Sequence, residues 1–178
     1  MLYDIVALKK QLKPGDVFVV HGRHLISRMI RIVTDSHWNH ATMYVGKGRF
    51  IEANNKAVET RPLEEYEGKE IEIYRHKKAT AYHQKKIVEA AMQKRGKGYD
   101  FFHLVQFFWL FVTGRRGNAR QLGSKNKYIC SELVASSYAE AGLKVYKNYN
   151  PTQISPADFP ESDQFRLCVQ QRKILLLK

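Results

Sequence analysis

Lys127-Tyr128-Ile129-Cys130-Ser131-Glu132-Leu133-Val134 sets a cysteine between two kinds of secondary structure. Lys127-Tyr128-Ile129 reads as a short strand. From Cys130 onward, Leu133, Val134, Ser137, Tyr138 and Ala141 recur at helical spacing, and Gly142 ends the run. Cys130 therefore opens a helix. The first N–H groups of a helix have no intrahelical partner and the dipole is positive there, so a thiolate is stabilised. A thiol with a pKa near 8.5 is only about 3% ionised at pH 7, whereas one lowered to about 6 is about 90% ionised. The same N–H groups can hold a developing oxyanion.

A thiolate nucleophile needs a proton carrier, and among seven histidines His40 is the candidate with a partner. Residues 40–45 and 49–53 flank Gly46-Lys47-Gly48 as a hairpin. If Val45 pairs with Arg49, Thr42 lies opposite Glu52, and Glu52 is diagonal to His40 on one face. A carboxylate there orients an imidazole and favours its charged form. Asn54, directly opposite His40, is the alternative orienter, and a slip of one residue would turn Glu52 to the other face. Taken singly, each of these residues also reads as an ordinary one: a buried small thiol, a satisfied strand histidine, a solvent-facing glutamate. His37 with His40 would be a metal-ligand pair only if a second pair accompanied it, and none does at suitable spacing. No metal or other cofactor is expected.

The rest of the chain frames these residues. Residues 2–12 can form a short helix, residues 13–16 a turn and residues 17–20 a buried strand; residues 24–33 have helical spacing and residues 34–39 read as a loop. Residues 70–75 alternate as a strand. Thr80 caps a helix reaching Arg95 before Gly96, and the aromatic run 101–112 reads as another helix. Residues 114–127 are basic and Gly-rich, a surface loop without the Gly-Lys-Ser/Thr ending of a phosphate-binding loop. Ser155-Pro156-Ala157-Asp158 is a helix-start signal, with Ser155 as cap and Pro156 as first helical residue. Residues 165–169 and 173–177 are closing strands.

The 178 residues fit one domain, 1–178, with 44% hydrophobic and 26% charged residues as in soluble globular proteins. Two cysteines make neither a disulfide framework nor a four-thiolate zinc site. The start, MLYDIVALKK, has no signal-like apolar run, and residues 101–112 are too short to span a bilayer. A cytoplasmic protein, with peripheral membrane association as a variant, is the expectation. The net charge of +13 suits an anionic surface such as a membrane or a cell-wall polymer. Nucleic acid would need more than Arg115, Arg116, Arg120, Lys125 and Lys127, since no nucleic-acid motif accompanies them.

Several separate pieces occur in a telling order: Pro14-Gly15-Asp16-Val17, then Trp38-Asn39-His40-Ala41-Thr42-Met43-Tyr44-Val45-Gly46, Phe50-Ile51-Glu52-Ala53, Gly98-Tyr99-Asp100, and Tyr128 to Val134. Together they resemble the NlpC-type cysteine hydrolase superfamily, in its circularly permuted, YiiX/YebB-like papain-fold branch, where the histidine strand precedes the cysteine helix. The basic stretch 114–127 departs from that pattern. The resemblance implies an α+β fold, a small antiparallel sheet or barrel packed against helices that include the nucleophile helix. It also implies Cys130 as nucleophile, His40 as base and Glu52 as the polar third residue.

The expected reaction is amidase or peptidase chemistry through a thioester acyl-enzyme, on a small amide, peptide or lipid-like substrate. The alternatives are a lipid acyltransferase or phospholipase-like enzyme at anionic membranes, favoured by the aromatic run and the charge, a catalytically inactive binding relative, and a nucleic-acid module. The oligomeric state is left open.

Overall fold

Val17-Phe18-Val19-Val20 has no polar residue and forms β1 (Val17–Val20), buried on both faces. The computed structural model describes residues 5–21, 36–54, 56–100, 104–106, 109, 113 and 126–171. Helix α1 (Ile5–Gln11) precedes β1. Then come β2 (His40–Gly46), β3 (Arg49–Ala53), β4 (Val58–Pro62), a 3₁₀ turn (Leu63–Tyr66), β5 (Ile71–His76), α2 (Ala81–Met92) and β6 (Gly98–Tyr99). The chain continues through β7 (Lys127–Tyr128), α3 (Cys130–Glu140), a second 3₁₀ turn (Pro151–Gln153), α4 (Asp158–Glu161) and β8 (Phe165–Gln171).

Six strands make one sheet in the order β4-β3-β2-β1-β5-β8, with every pairing antiparallel. Strands β6 and β7 form a separate parallel pair. Alternation along the strands divides the core in two. Val17, Val19, Ala41, Met43, Ile51 and Ala53 face the helix side with Ile129, Leu133, Val134 and Tyr138 of the cysteine helix region. Phe18, Val20, Tyr44, Phe50, Ile71 and Ile73 face the other side, under Leu8, Leu12, Leu63 and Tyr66.

Two features tie the helix layer to the sheet. Tyr138 donates its hydroxyl hydrogen to the carbonyl of Gly15, whose φ of +89° is open to glycine without strain. Asp16, fully buried, receives both Nε and Nη2 of Arg75 at 2.6 and 2.7 Å and also the Lys13 N–H at 2.8 Å. The Pro14-Gly15-Asp16 motif is thus a structural clasp between the turn before β1 and the neighbouring strand β5.

Most sequence expectations for these elements agree with the structure, with four corrections. In the hairpin, Met43↔Ile51 and Tyr44↔Phe50 pair as the expected register requires, but Gly46 rather than Val45 opposes Arg49. The two-residue turn Lys47-Gly48 has φ of 52° and 68°, and Gly46 at φ 94° takes up the extra residue as a bulge. Strand β4 went unread; it is an edge strand in which only Val58 is buried, so it carries no alternating signal. Ser155 does not cap a helix at Pro156. Its N–H and hydroxyl both bond Asp158 Oδ2, at 2.5 and 2.7 Å, closing a turn before the four-residue α4 begins at Asp158. Helix α2 keeps its Thr80 cap but ends at Met92, followed by turns up to Gly96.

The expected helix over 24–33, the loop over 114–125 and the strand over 173–177 lie outside the described residues. Of the aromatic run, residues 104–106 and 109 are helical. Among the described residues no helix is long and apolar enough to cross a membrane.

Candidate active site

Cys130 is the first residue of α3, and the two residues after it fix where that helix starts. Ser131 donates its hydroxyl to the Ile154 carbonyl at 2.5 Å. Glu132 reaches back to the Ile129 N–H at 3.4 Å, the acidic half of a capping box. Leu133 N–H is the first to make the helical bond, to Ile129 O at 3.0 Å. The N–H groups ahead of it are left for other acceptors, and the main chain of Ala41 and Ser131 helps to lower the Cys130 thiol.

His40 begins β2, paired with Val20. Extending the observed β2–β3 pairs sets Thr42 opposite Glu52 and His40 opposite Asn54. The side chains decide between the two orienters. His40 Nε2 donates to Glu52 Oε2 at 2.8 Å. Asn54 turns its Oδ1 to the N–H groups of Lys56 and Ala57, at 2.9 and 3.2 Å, and closes its own turn. With Nε2 committed to Glu52, Nδ1 is the ring nitrogen left for the Cys130 sulfur, and the two groups shift each other's pKa. Cysteine, imidazole and carboxylate therefore act on one another in a row.

The electrostatics follow from these bonds. Burial alone would lower the His40 pKa, but the bonds to Cys130 and Glu52 outweigh it and raise it to about 10. Burial alone would raise Glu52, but the bond from His40, with that from Tyr66, draws it down to about 2. Burial would also raise the Cys130 thiol, and the bond with His40 and its charge lower it below the ordinary value. All three directions favour a thiolate beside an imidazolium beside a carboxylate. Cys168, by contrast, is raised by burial, so the two cysteines differ in sign. Cys130 is 5% exposed and the His40 side chain 24%, so the imidazole is the open side of the pair.

The sequence reading missed two tyrosines here. Tyr66, in the 3₁₀ turn after β4, donates its hydroxyl to the same Glu52 Oε2 at 2.7 Å. Lys69 lies 4.4 Å from the centre of the Tyr66 ring, and its charge also lowers Glu52. Tyr99, from the Gly98-Tyr99-Asp100 motif, is buried close enough to Cys130 for the sulfur's charge to add to the burial that raises its pKa. Neither has a signal in spacing, since each joins residues that are far apart in the chain. His37, weighed as a metal partner of His40, points elsewhere: its Nε2 lies 3.0 Å from Glu70 Oε1.

The family described as "Permuted papain-like amidase enzyme, YaeF/YiiX, C92 family" matches residues 11–167. The chain belongs to this permuted papain-like amidase family. Among solved structures it is similar to the crystal structure of the metalloprotein YiiX from Escherichia coli O157:H7. The TM-score is 0.69 at 20% identity, over 90% of this chain and 98% of that one. That likeness shows the fold, a permuted papain-like one. Comparison with curated proteins returns no match. Family membership supports a hydrolase of the amidase or peptidase type.

Proposed function

We propose that this member of the amidase family is a cysteine amidase working through Cys130, His40 and Glu52. The observation that carries the proposal is the His40 Nε2–Glu52 bond at 2.8 Å beside a Cys130 thiol whose pKa His40 lowers. The Cys130 thiolate attacks the amide carbonyl carbon, a C–S bond forms, and the oxygen takes the negative charge beside the N-terminus of α3. His40 gives its Nδ1 proton to the nitrogen, the C–N bond breaks and the amine leaves. Water then loses a proton to His40 and attacks the thioester. The C–S bond breaks, restoring the thiolate and releasing a carboxylic acid that loses its proton to solvent. Glu52 stays ionised throughout and stabilises the charged ring.

A small activated ester tests this without knowledge of the natural substrate. With p-nitrophenyl acetate, a burst of one p-nitrophenolate per chain and an acetyl group on Cys130 by intact mass are expected. Cys130→Ala abolishes both and His40→Ala slows them. Equal acetylation of Cys130 and Cys168 would refute the assignment.

A further inference from the structure

Three strand ends meet beside the amidase site. His21 follows β1, Glu70 precedes β5, and His37 lies three residues before His40 on the approach to β2. Main-chain bonds hold these ends together: His21 N–H to Glu70 O at 3.0 Å and Asn39 N–H to Val20 O at 3.2 Å. One donor atom from each of His21, His37 and Glu70 lies within 4.8 Å of the others. We propose that these three residues form a binding site for a divalent zinc-class metal ion, separate from the Cys130–His40 pair.

The donor set and geometry support this. Two imidazoles and a carboxylate suit Zn²⁺, which at about 2.1 Å from tetrahedral donors sets those donors about 3.4 Å apart. His37 Nε2 and Glu70 Oε1 are already 3.0 Å apart. His21 Nδ1 lies 3.0 Å from the His37 carbonyl. A ring that donates Nδ1–H to a carbonyl has Nε2 as a lone pair, the arrangement that orients metal-bound histidines. The His21 and His37 rings stack at 4.1 Å with planes 26° apart, so converging on one ion requires one ring to turn. The His37 side chain is half exposed and has room to do so. An ion there would join both ends of the β1–β2 connection to β5. Three protein ligands leave a coordination position for water or an anionic group of a ligand.

The test is titration of the metal-free full-length chain with ZnCl₂ by calorimetry, in the wild type and in Cys130→Ser, where the sulfur cannot compete. One equivalent should bind in both. His21→Ala and Glu70→Gln should each weaken binding by at least the roughly tenfold to hundredfold loss seen for less direct changes at metal sites. If either variant folds poorly by circular dichroism, the visible spectrum of Co²⁺ bound to Cys130→Ser decides: nitrogen–oxygen tetrahedral bands support the site. No uptake in Cys130→Ser, or uptake indifferent to both His21→Ala and Glu70→Gln, overturns it. Because the metal is read in a protein lacking the sulfur, this result is independent of the amidase assignment.

Discussion

The hydroxyl of Tyr66 lies 2.7 Å from Glu52 Oε2, the oxygen that also receives His40 Nε2. Burial, with the charge of Glu52, raises the Tyr66 pKa well above its ordinary value, so the phenol remains a donor. The ring itself is held edge-on against Phe50 at 4.1 Å and belongs to the second core. Tyr66→Phe keeps that packing and removes the charge-assisted bond to Glu52 together with the hydroxyl's interaction with Thr42. It should cost about 1.5–3 kcal/mol of stability, measured by urea denaturation, and raise the pKa of Glu52. A loss of stability with no change in the acid limb of the activity profile would show that Tyr66 packs the core without orienting the carboxylate.

The opposite shifts of the two cysteines give a labelling experiment with an internal control. Cys130 is held below the ordinary thiol range and Cys168 above it. At pH 6.5, iodoacetamide should modify Cys130 much faster than Cys168, and the gap should narrow as pH rises and Cys168 ionises. His40→Ala removes the bond that lowers the Cys130 thiol and should slow its labelling, as read by peptide mass spectrometry. A Cys130 rate that climbs with pH in parallel with Cys168 would contradict the ion pair.

The sequence carried this pair because the information is local. Cys130 is marked by the change from strand to helical spacing, and Glu52 by strand alternation, which survives the Gly46 bulge because Met43↔Ile51 keeps its register. Asn54 could not be separated from Glu52 by register alone. What settles it is the Asn54 side chain closing its own turn, a contact two and three residues away. Tyr66, His21 and Glu70 were out of reach for a different reason. Each meets its partner through strand order, in which β1 lies between β2 and β5 and the chain returns from β4 through a 3₁₀ turn. Edge strand β4 was hidden because four of its five residues are half-exposed and give no buried face to detect.

Stability should also follow the charge pair. Glu52 falls from 4.5 to about 2 on folding, so its contribution is present above pH 4.5 and is lost as pH falls through about 2. His40 rises from 6.5 to about 10, so its contribution is full below pH 6.5 and is lost as pH rises through about 10. Both contributions are full between about pH 4.5 and 6.5. His40→Ala should flatten the dependence of Tm on pH on both sides of that window. A difference between wild type and His40→Ala that stays constant from pH 3 to pH 10 would contradict the linkage.

The Asp16–Arg75 clasp should matter for the fold and leave the thiol alone. Asp16 is 1% exposed and the Arg75 side chain 14%, with two hydrogen bonds between them. Asp16→Ala strands a guanidinium that retains only the Gln11 carbonyl at 2.9 Å, and it should cost about 3–5 kcal/mol by denaturation. Iodoacetamide labelling of the still-folded fraction at Cys130 should be unchanged. Slowed labelling in that fraction would place Asp16 in the chemistry and contradict its reading as a clasp.

Glu52→Gln isolates what the carboxylate gives the imidazole. The amide still accepts a hydrogen bond from Nε2, so ring orientation is retained while the charge is lost. Two of the influences that raise His40, its bond to Glu52 and the carboxylate's charge, are weakened or removed, so its pKa falls from about 10 toward 6.5. In the proposed reaction His40 must carry a proton to donate it to the leaving nitrogen, so the alkaline limb of kcat/KM should move to lower pH in the variant. The rate at neutral pH should drop about a hundredfold, with the change in kcat, since Glu52 reaches substrate only through His40. Glu52→Ala, which also frees the ring to turn, should lose more. An alkaline limb in Glu52→Gln that coincides with the wild type would mean that Cys130 alone sets the charge on His40, and that the carboxylate serves only to hold Tyr66 and the ring in place.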